Sequence, residues 1–286
     1  MGDKKMVTCR EVLSTDSVTL AKVAAELVVH PLALEDCQHR DQRAKLDDYE
    51  NQQLLVWFML SKDEIYELQF LIFPNALVMV PHQAPPSGQT WFEFLKLTPH
   101  HKDVWHALYQ ALDRATDVTW QDLRLITKRI DDFEENIFQT EIRPQDLITL
   151  KRRVNEIDYS VGHLTSVSEQ IIHLTQPSGD LAWKLRDLHD HCERIDRTIA
   201  LYRSQIATII DLYWGLQANR TNSQIKKLSL LASLAVPLTF WASFWGMNFH
   251  SIPFYDSRLF LAAVGIMVFS AAATMWFLVR KGYWNG

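Results

Sequence analysis

The hydrophobic pattern changes character twice along the chain. Up to about residue 83, apolar residues come in short runs: VTCREV at 7–12, LLVWFML from Leu54, YELQFLIF from Tyr66 and ALVMV from Ala76 all read as strands. Between them, TLAKVAAELVV from Thr19 follows the capping candidates Asp16 and Ser17 with helical spacing. HPLALED from His30 predicts a second short helix with Pro31 in its first turn. APPSGQT from Ala84 ends this regime. From Trp91 the spacing is helical, predicting helices at about 91–116, 119–140 and 144–176, with QPSGD breaking the last. From Asp180 to Trp245, Gly215 and Pro237 are the only helix-weak residues in 66 positions. As one helix that segment is about 100 Å long.

The third regime is apolar throughout. Residues 228–247 are twenty positions without a formal charge, and 259–279 are twenty-one more. Each suffices to cross a hydrocarbon core of about 30 Å as a helix. Lys226 and Lys227 precede the first segment and Arg280 and Lys281 follow the second, while the connecting loop carries Arg258 against Asp256. This asymmetry predicts both termini in the cytoplasm, in the inner membrane of the cell. The N-terminal MGDKKMVTCREV has no apolar run, so no secretion signal is read there. The predicted organisation is an α/β unit over 1–90, a helical bundle over 91–180, and a stalk helix over 181–225. A first membrane helix over 226–248, an external loop over 249–258, a second membrane helix over 259–280 and a tail over 281–286 complete it.

The long helix carries a stripe of its own. Stepping back from Ser243 by alternate fours and threes gives Thr239, Val236, Ala232, Ser229, Ile225, Asn222, Ala218, Gly215 and Asp211. These residues are small, polar or of modest size, whereas Leu230, Leu231, Leu234, Leu238, Phe240, Trp241 and Trp245 occupy the other faces. Sustained three-four spacing marks a parallel, in-register helical assembly. One account is close helix packing across small residues. The other is several copies around a wet axis, with the Asp211 and Asn222 oxygens suited to hydrated cations and Ile225, Leu228 and Val236 as constrictions that gate by dewetting.

Composition narrows the function. The net charge of −5 and the lack of a dominant Lys/Arg face give no reason to expect nucleic acid. Cys9, Cys37 and Cys192 have no paired spacing and read as reduced, mostly buried thiols. No phosphate loop, nucleophile elbow or HExxH is present, so no catalytic constellation supports an enzyme. In the dense run His189-Asp190-His191-Cys192, only residues four apart share a helical face, which singles out Asp187 with His191.

Gly246-Met247-Asn248, at the end of a first membrane helix that follows NRTNSQIKKL and contains Pro237-Leu238-Thr239, resembles the signature of the CorA magnesium-transporter superfamily. HPLALED with the following DQRAK and DDYENQQLLVWFML, and LRDLHDH at 185–191, resemble its cytoplasmic domain and stalk, so the similarity runs from about residue 7 to the end. The resemblance implies a funnel-shaped homopentamer: an α/β cytoplasmic domain, a helical bundle, one very long stalk helix and two C-terminal transmembrane helices. It implies a selectivity mouth at Gly246, Met247 and Asn248, and a pore lined by Asp211, Asn222, Ile225, Leu228, Ser229, Ala232, Val236, Thr239 and Ser243. It also implies regulatory, inter-subunit metal sites using Glu35, Asp36 and Asp187. The permeant and regulatory ligand would be Mg²⁺ or another divalent cation, and the partners are further copies of the chain and the lipid bilayer.

Three departures bear on the ion. His250 stands where magnesium transporters of the family carry an acidic residue, Ile225 and Val236 replace methionines, and Ala44 replaces a proline. Mg²⁺ influx, also of Co²⁺ or Ni²⁺, with cytoplasmic metal-dependent gating is the leading expectation. A ZntB-type Zn²⁺ transporter, proton-coupled or not, is the alternative, and a non-conducting membrane-tethered sensor or scaffold the third.

Overall fold

A computed structural model of the chain describes residues 7–40, 42–88, 90–98, 101, 103–138, 143–247 and 257–281. The chain divides into two compact units, Met1–Ile210 and Asp211–Gly286.

The first unit is built on a five-stranded sheet of β1 (Thr8–Glu11), β2 (Lys45–Tyr49), β3 (Gln52–Ser61), β4 (Glu64–Phe73) and β5 (Ala76–Pro81), in the order β1-β5-β4-β3-β2. β1 runs parallel to β5 and the other pairs are antiparallel. β3, β4 and β5 are apolar along almost their whole length, which suits strands buried on both faces. Leu54, Leu71 and Val78 lie in register and join a core cluster with Leu20 and Val23 of α1 (Ser17–Leu27) and Ala33 and Cys37 of α2 (Pro31–Gln38). The alternate residues Leu55, Trp57, Met59, Leu77 and Met79 are just as fully buried and belong to the other face. Asp16 caps α1 by accepting from the Thr19 N–H at 3.0 Å, and His30 with Pro31 opens α2.

Helices then cover the sheet. A short α3 (Trp91–Phe94) precedes α4 (Val104–Asn136), so the break anticipated between 116 and 119 falls instead before Val104. The two threonines at the anticipated boundary sit in the helix interior and return their hydroxyls to it, Thr116 to Leu112 O (2.7 Å) and Thr119 to Ala115 O (2.9 Å). Thr119 Oγ1 also accepts the Leu60 N–H of β3 at 3.0 Å, a buried contact between helix and sheet. Thr119→Val, which keeps the shape and removes that acceptor, is expected to cost about 1–3 kcal/mol. The thermal unfolding midpoint of the full chain in detergent measures it; an unchanged midpoint would deny the contact any role.

The expected single helix over 144–176 is two, α5 (Pro144–Val161) and α6 (Leu164–Thr175). Gly162 ends α5, and a Cβ there would stand 2.5 Å from the Asp158 carbonyl oxygen, so the junction accepts only glycine without moving. The β3–β4 turn places Lys62 and Asp63 at positive φ (51° and 62°), and Asp63 receives Arg129 of α4 (3.0 Å) and Arg153 of α5 (3.1 Å). Burial opposes the Asp63 charge, but the two guanidiniums outweigh it and hold the carboxyl below its ordinary range. That turn fixes α4 and α5 against the end of the sheet.

The last two helices are α7 (Asp180–Trp245) and α8 (Ser257–Arg280). In the first unit α7 buries Leu185, Leu188, Cys192, Ile195, Ile199, Tyr202, Ile206 and Ile209, a strict three-four seam. Tyr202 donates to Leu123 O of α4 at 2.9 Å, and Arg194 lies 4.3 Å over the Trp120 ring. In the second unit no described residue of either helix is buried.

Candidate pore and metal centre

In the second unit all ten stripe positions, Asp211, Gly215, Ala218, Asn222, Ile225, Ser229, Ala232, Val236, Thr239 and Ser243, are exposed, as is Leu228. Ile225, Leu228 and Val236 are 56, 70 and 64% exposed, a poor arrangement for aliphatic side chains in a solitary helix. Leu230, Leu234, Pro237 and Trp241 are only partly exposed and follow the same three-four spacing. Two residues on from Ala232 and Thr239, Leu234 and Trp241 lie about 200° around the helix. α7 therefore has a partly covered apolar face here, and the stripe lies on the opposite, open side, where Leu231, Leu238 and Phe240 beside it are exposed as well.

Thr239 donates its hydroxyl proton to Ala235 O (2.9 Å) and Val236 O (3.0 Å), leaving oxygen lone pairs outward. Pro237 lacks the N–H that would have bonded the Ser233 carbonyl, the usual effect of an intrahelical proline.

α7 stops at the tripeptide. Gly246 N–H reaches Ala242 O at 3.0 Å, Met247 N–H reaches Phe244 O at 3.3 Å, and a Cβ on Gly246 would meet the Ala242 oxygen at 3.1 Å. Asn248 and His250 lie outside the described residues. An aromatic cluster precedes the stop, with Phe240, Trp241, Phe244 and Trp245 rings 5.4–6.4 Å apart. At the end of α8, Arg280 lies 5.1 Å over Trp276 and Lys281 5.0 Å over Phe277, the pairing of aromatic and cation found at membrane interfaces. Both helices are long and apolar enough to cross a membrane.

The expected regulatory carboxylates fall in two places of the first unit. Glu35 is exposed on α2. Asp36, at the next position, pairs with Lys45 of β2 at 2.6 Å, and Lys45 pairs in turn with Asp47 at 2.7 Å. Burial disfavours the Lys45 charge, but hydrogen bonds to Asp36 and Asp47 more than compensate and raise its pKa. A metal approaching Asp36 therefore competes with an ammonium already in place.

Asp187 lies elsewhere, in a cluster with His191 of α7 and Asp113 of α4, where one ligand atom from each lies within 4.8 Å of the others. His191 Nε2 is 3.7 Å from Asp187 Oδ1 and its Nδ1 is 3.9 Å from Asp113 Oδ1, so one ring stands between two carboxylates. Burial, followed by the charge of Asp117, pushes the Asp113 carboxyl above its ordinary range; His191 counters and Asp187 adds to it. Burial and the neighbouring Asp113 and Asp187 charges hold the Tyr109 phenol up at about 12. This is a pocket of excess negative charge with one imidazole, a donor set that suits a divalent ion. The Asp187–His191 pair was legible from its spacing. Asp113 was not, because the register of α4 against α7 is a tertiary fact; the Leu185-to-Ile209 seam marks the face of α7 that packs inward but not which residue of α4 meets it.

Residues 11–281 match the family described as CorA-like Mg²⁺ transporter protein. The chain belongs to this family. It is thus a CorA-family divalent-cation transporter, a membrane protein in which the apolar part of α7 and α8 are the candidate spans. Among curated relatives, YfjQ of Bacillus subtilis is 26% identical over 274 residues, 90% of this chain and 83% of its own. The cobalt/magnesium transport protein CorA of Thermotoga maritima is 26% identical over 238 residues, 79% of this chain and 68% of its own. Of solved structures, the CorA magnesium transporter of Methanocaldococcus jannaschii superposes with a TM-score of 0.79 at 15% identity, covering 96% of this chain and 90% of that one. The cytoplasmic domain of ZntB from Vibrio parahaemolyticus gives 0.61 at 12%, covering 73% and 87%. The CorA-like fold expected from the sequence is the fold of this chain: an N-terminal α/β unit, a long helix and a C-terminal apolar helix.

Proposed function

We propose that copies of the chain assemble as a pentamer around the open face of α7 and pass hydrated divalent cations, Mg²⁺ foremost, into the cytoplasm down the membrane potential. The observation that carries this reading is the exposure of every stripe position from Asp211 to Ser243, opposite a face that is partly covered. Mg²⁺ sheds its water reluctantly, and its bound waters donate hydrogen bonds outward. Acceptors such as the Thr239 oxygen and the Asn222 and Asn248 amides match that shell without stripping it. Ile225, Leu228 and Val236 are the dry points of the path and close it by dewetting. Both termini face the cytoplasm in this arrangement.

Metal feedback acts on the soluble unit: an ion held by Asp187, with Glu35 and Asp36 of a neighbouring copy, keeps the pore shut, and its loss lets the carboxylates repel. A second reading has Zn²⁺, Co²⁺ or Ni²⁺ as cargo. His191 between Asp113 and Asp187 favours it, because an imidazole donor suits those ions better than Mg²⁺.

Flux into liposomes holding metal-sensitive dyes, with ions in competition, separates the readings. Mg²⁺ uptake driven by voltage and indifferent to a proton gradient is the expected result. Proton-dependent Zn²⁺ uptake would replace it with the second reading, and no flux of any divalent ion would leave a non-conducting scaffold. In the same assay, Ile225→Ser with Val236→Ser is expected to raise flux several-fold under inhibiting internal metal. Unchanged closure would remove these two residues from the gate.

A further inference from the structure

A cavity of about 590 Å³ opens in the first unit between the sheet, the segment after α2 and α5, lined among others by Arg40, Gln42, Phe58, Glu67, Arg152 and Tyr159. It is separate from the Asp113–Asp187–His191 cluster and shares no residue with the stripe on α7. Its size falls within the range of small-molecule sites.

Its charges are unevenly matched. Glu156, on the same wall, is paired with Arg153 Nη1 at 3.0 Å. Arg152 next to it has no hydrogen bond or ion pair among the described residues. Arg40 donates to the neutral Gln83 Oε1 at 2.7 Å and meets no carboxylate among the described residues. Two arginines that pair with no carboxylate among the described residues thus line one cavity, beside Glu156, which is held by Arg153, and Glu67, 3.7 Å from His82; unpaired guanidiniums are the groups with which arginine binds phosphate or carboxylate. Arg43, which is not a lining residue, lies 5.2 Å over the Tyr159 ring and occupies one of its faces, leaving the other for a ligand.

The remaining lining is of another kind. Gln42 spends its amide N–H on Asp36 O at 2.8 Å, which fixes the amide orientation and leaves Oε1 buried without a donor. Glu67, 6% exposed, is an acceptor already engaged by the Gln69 amide at 2.8 Å. Phe58 and the Tyr159 ring supply flat apolar surface. A ligand that fills this space carries an anionic group for the arginines, a planar ring for the aromatic surface, and an N–H donor for Gln42 Oε1. We propose that the cavity binds a nucleotide, with the phosphate between Arg40 and Arg152 and the base against Phe58 and Tyr159.

Equilibrium dialysis of the full chain in detergent, with AMP as the probe because it holds Mg²⁺ only weakly, tests this. AMP is expected to bind saturably, with Arg152→Ala and Arg40→Ala each weakening it about tenfold, the loss of one guanidinium–phosphate contact. Arg152→Lys should fall between, and adenosine or inorganic phosphate alone should bind far more weakly than AMP. Arg152 is exposed and holds no partner among the described residues, so its variants should fold as the parent does. Absence of saturable binding at millimolar AMP, affinity unchanged in both arginine variants, or phosphate binding as tightly as AMP would each overturn the proposal.

Discussion

Asn248→Ala is expected to bring Mg²⁺ flux into liposomes down to the leak of protein-free vesicles, while the assembled protein keeps its size on gel filtration. The helix that leads into the tripeptide ends at Trp245, and a Cβ on Gly246 would meet the Ala242 carbonyl oxygen at 3.1 Å, so the tripeptide starts on a rigid support. In the proposed assembly a ring of amide oxygens would accept from the waters around a cation and cost little dehydration; alanine has no acceptor to offer. Asn248→Asp separates charge from geometry. It keeps an oxygen acceptor and adds charge at the proposed mouth, where the sequence has His250 in place of an acidic residue, so binding should tighten and turnover slow, because conduction requires that the ion also leave. Wild-type flux in the alanine variant would remove Asn248 from the conduction path.

What could be read from the sequence follows the range of the interactions involved. The two uncharged stretches, the long α7 and the apolar strands β3, β4 and β5 are written in local composition, and they are where the pattern put them. β2 was missed because KLDDY is an edge strand with a mostly polar, partly exposed surface and no apolar run to mark it. The break at Gly162-His163 escaped because a lone glycine in a helical pattern reads as tolerated, whereas here the Asp158 carbonyl sits where a Cβ would be. The stripe on α7 could be read because three-four spacing is a property of one helix. Asp113 beside Asp187 and His191, or Lys45 beside Asp36, depends on how separate elements dock, and no local pattern records that.

The Lys45–Asp36 pair and the Asp113–Asp187–His191 cluster make the metal feedback testable in opposite directions. Under the proposed mechanism, Asp187→Asn removes a ligand from the cluster, so flux should persist at internal Mg²⁺ that shuts the parent, with the inhibitory concentration raised about tenfold for a contact worth about 1.4 kcal/mol. Lys45→Met removes the ammonium that holds Asp36 at 2.6 Å, and inhibition should then begin at lower Mg²⁺. A purely structural role for both sites would shift the two variants the same way or not at all. Asp113→Asn adds a readout besides flux. The Asp113 carboxyl sits above its ordinary range in the fold, so its contribution to stability is full at low pH and is lost as pH rises through that raised value. At neutral pH the metal-free asparagine variant should therefore melt higher than the parent, by about 2–4 °C for each kcal/mol of relieved charge burial and repulsion. The parent should gain a further rise on adding divalent metal, and the variant should gain much less, because the charge the ion would neutralise has gone. A metal-induced rise of equal size in both proteins would place the regulatory ion away from Asp113.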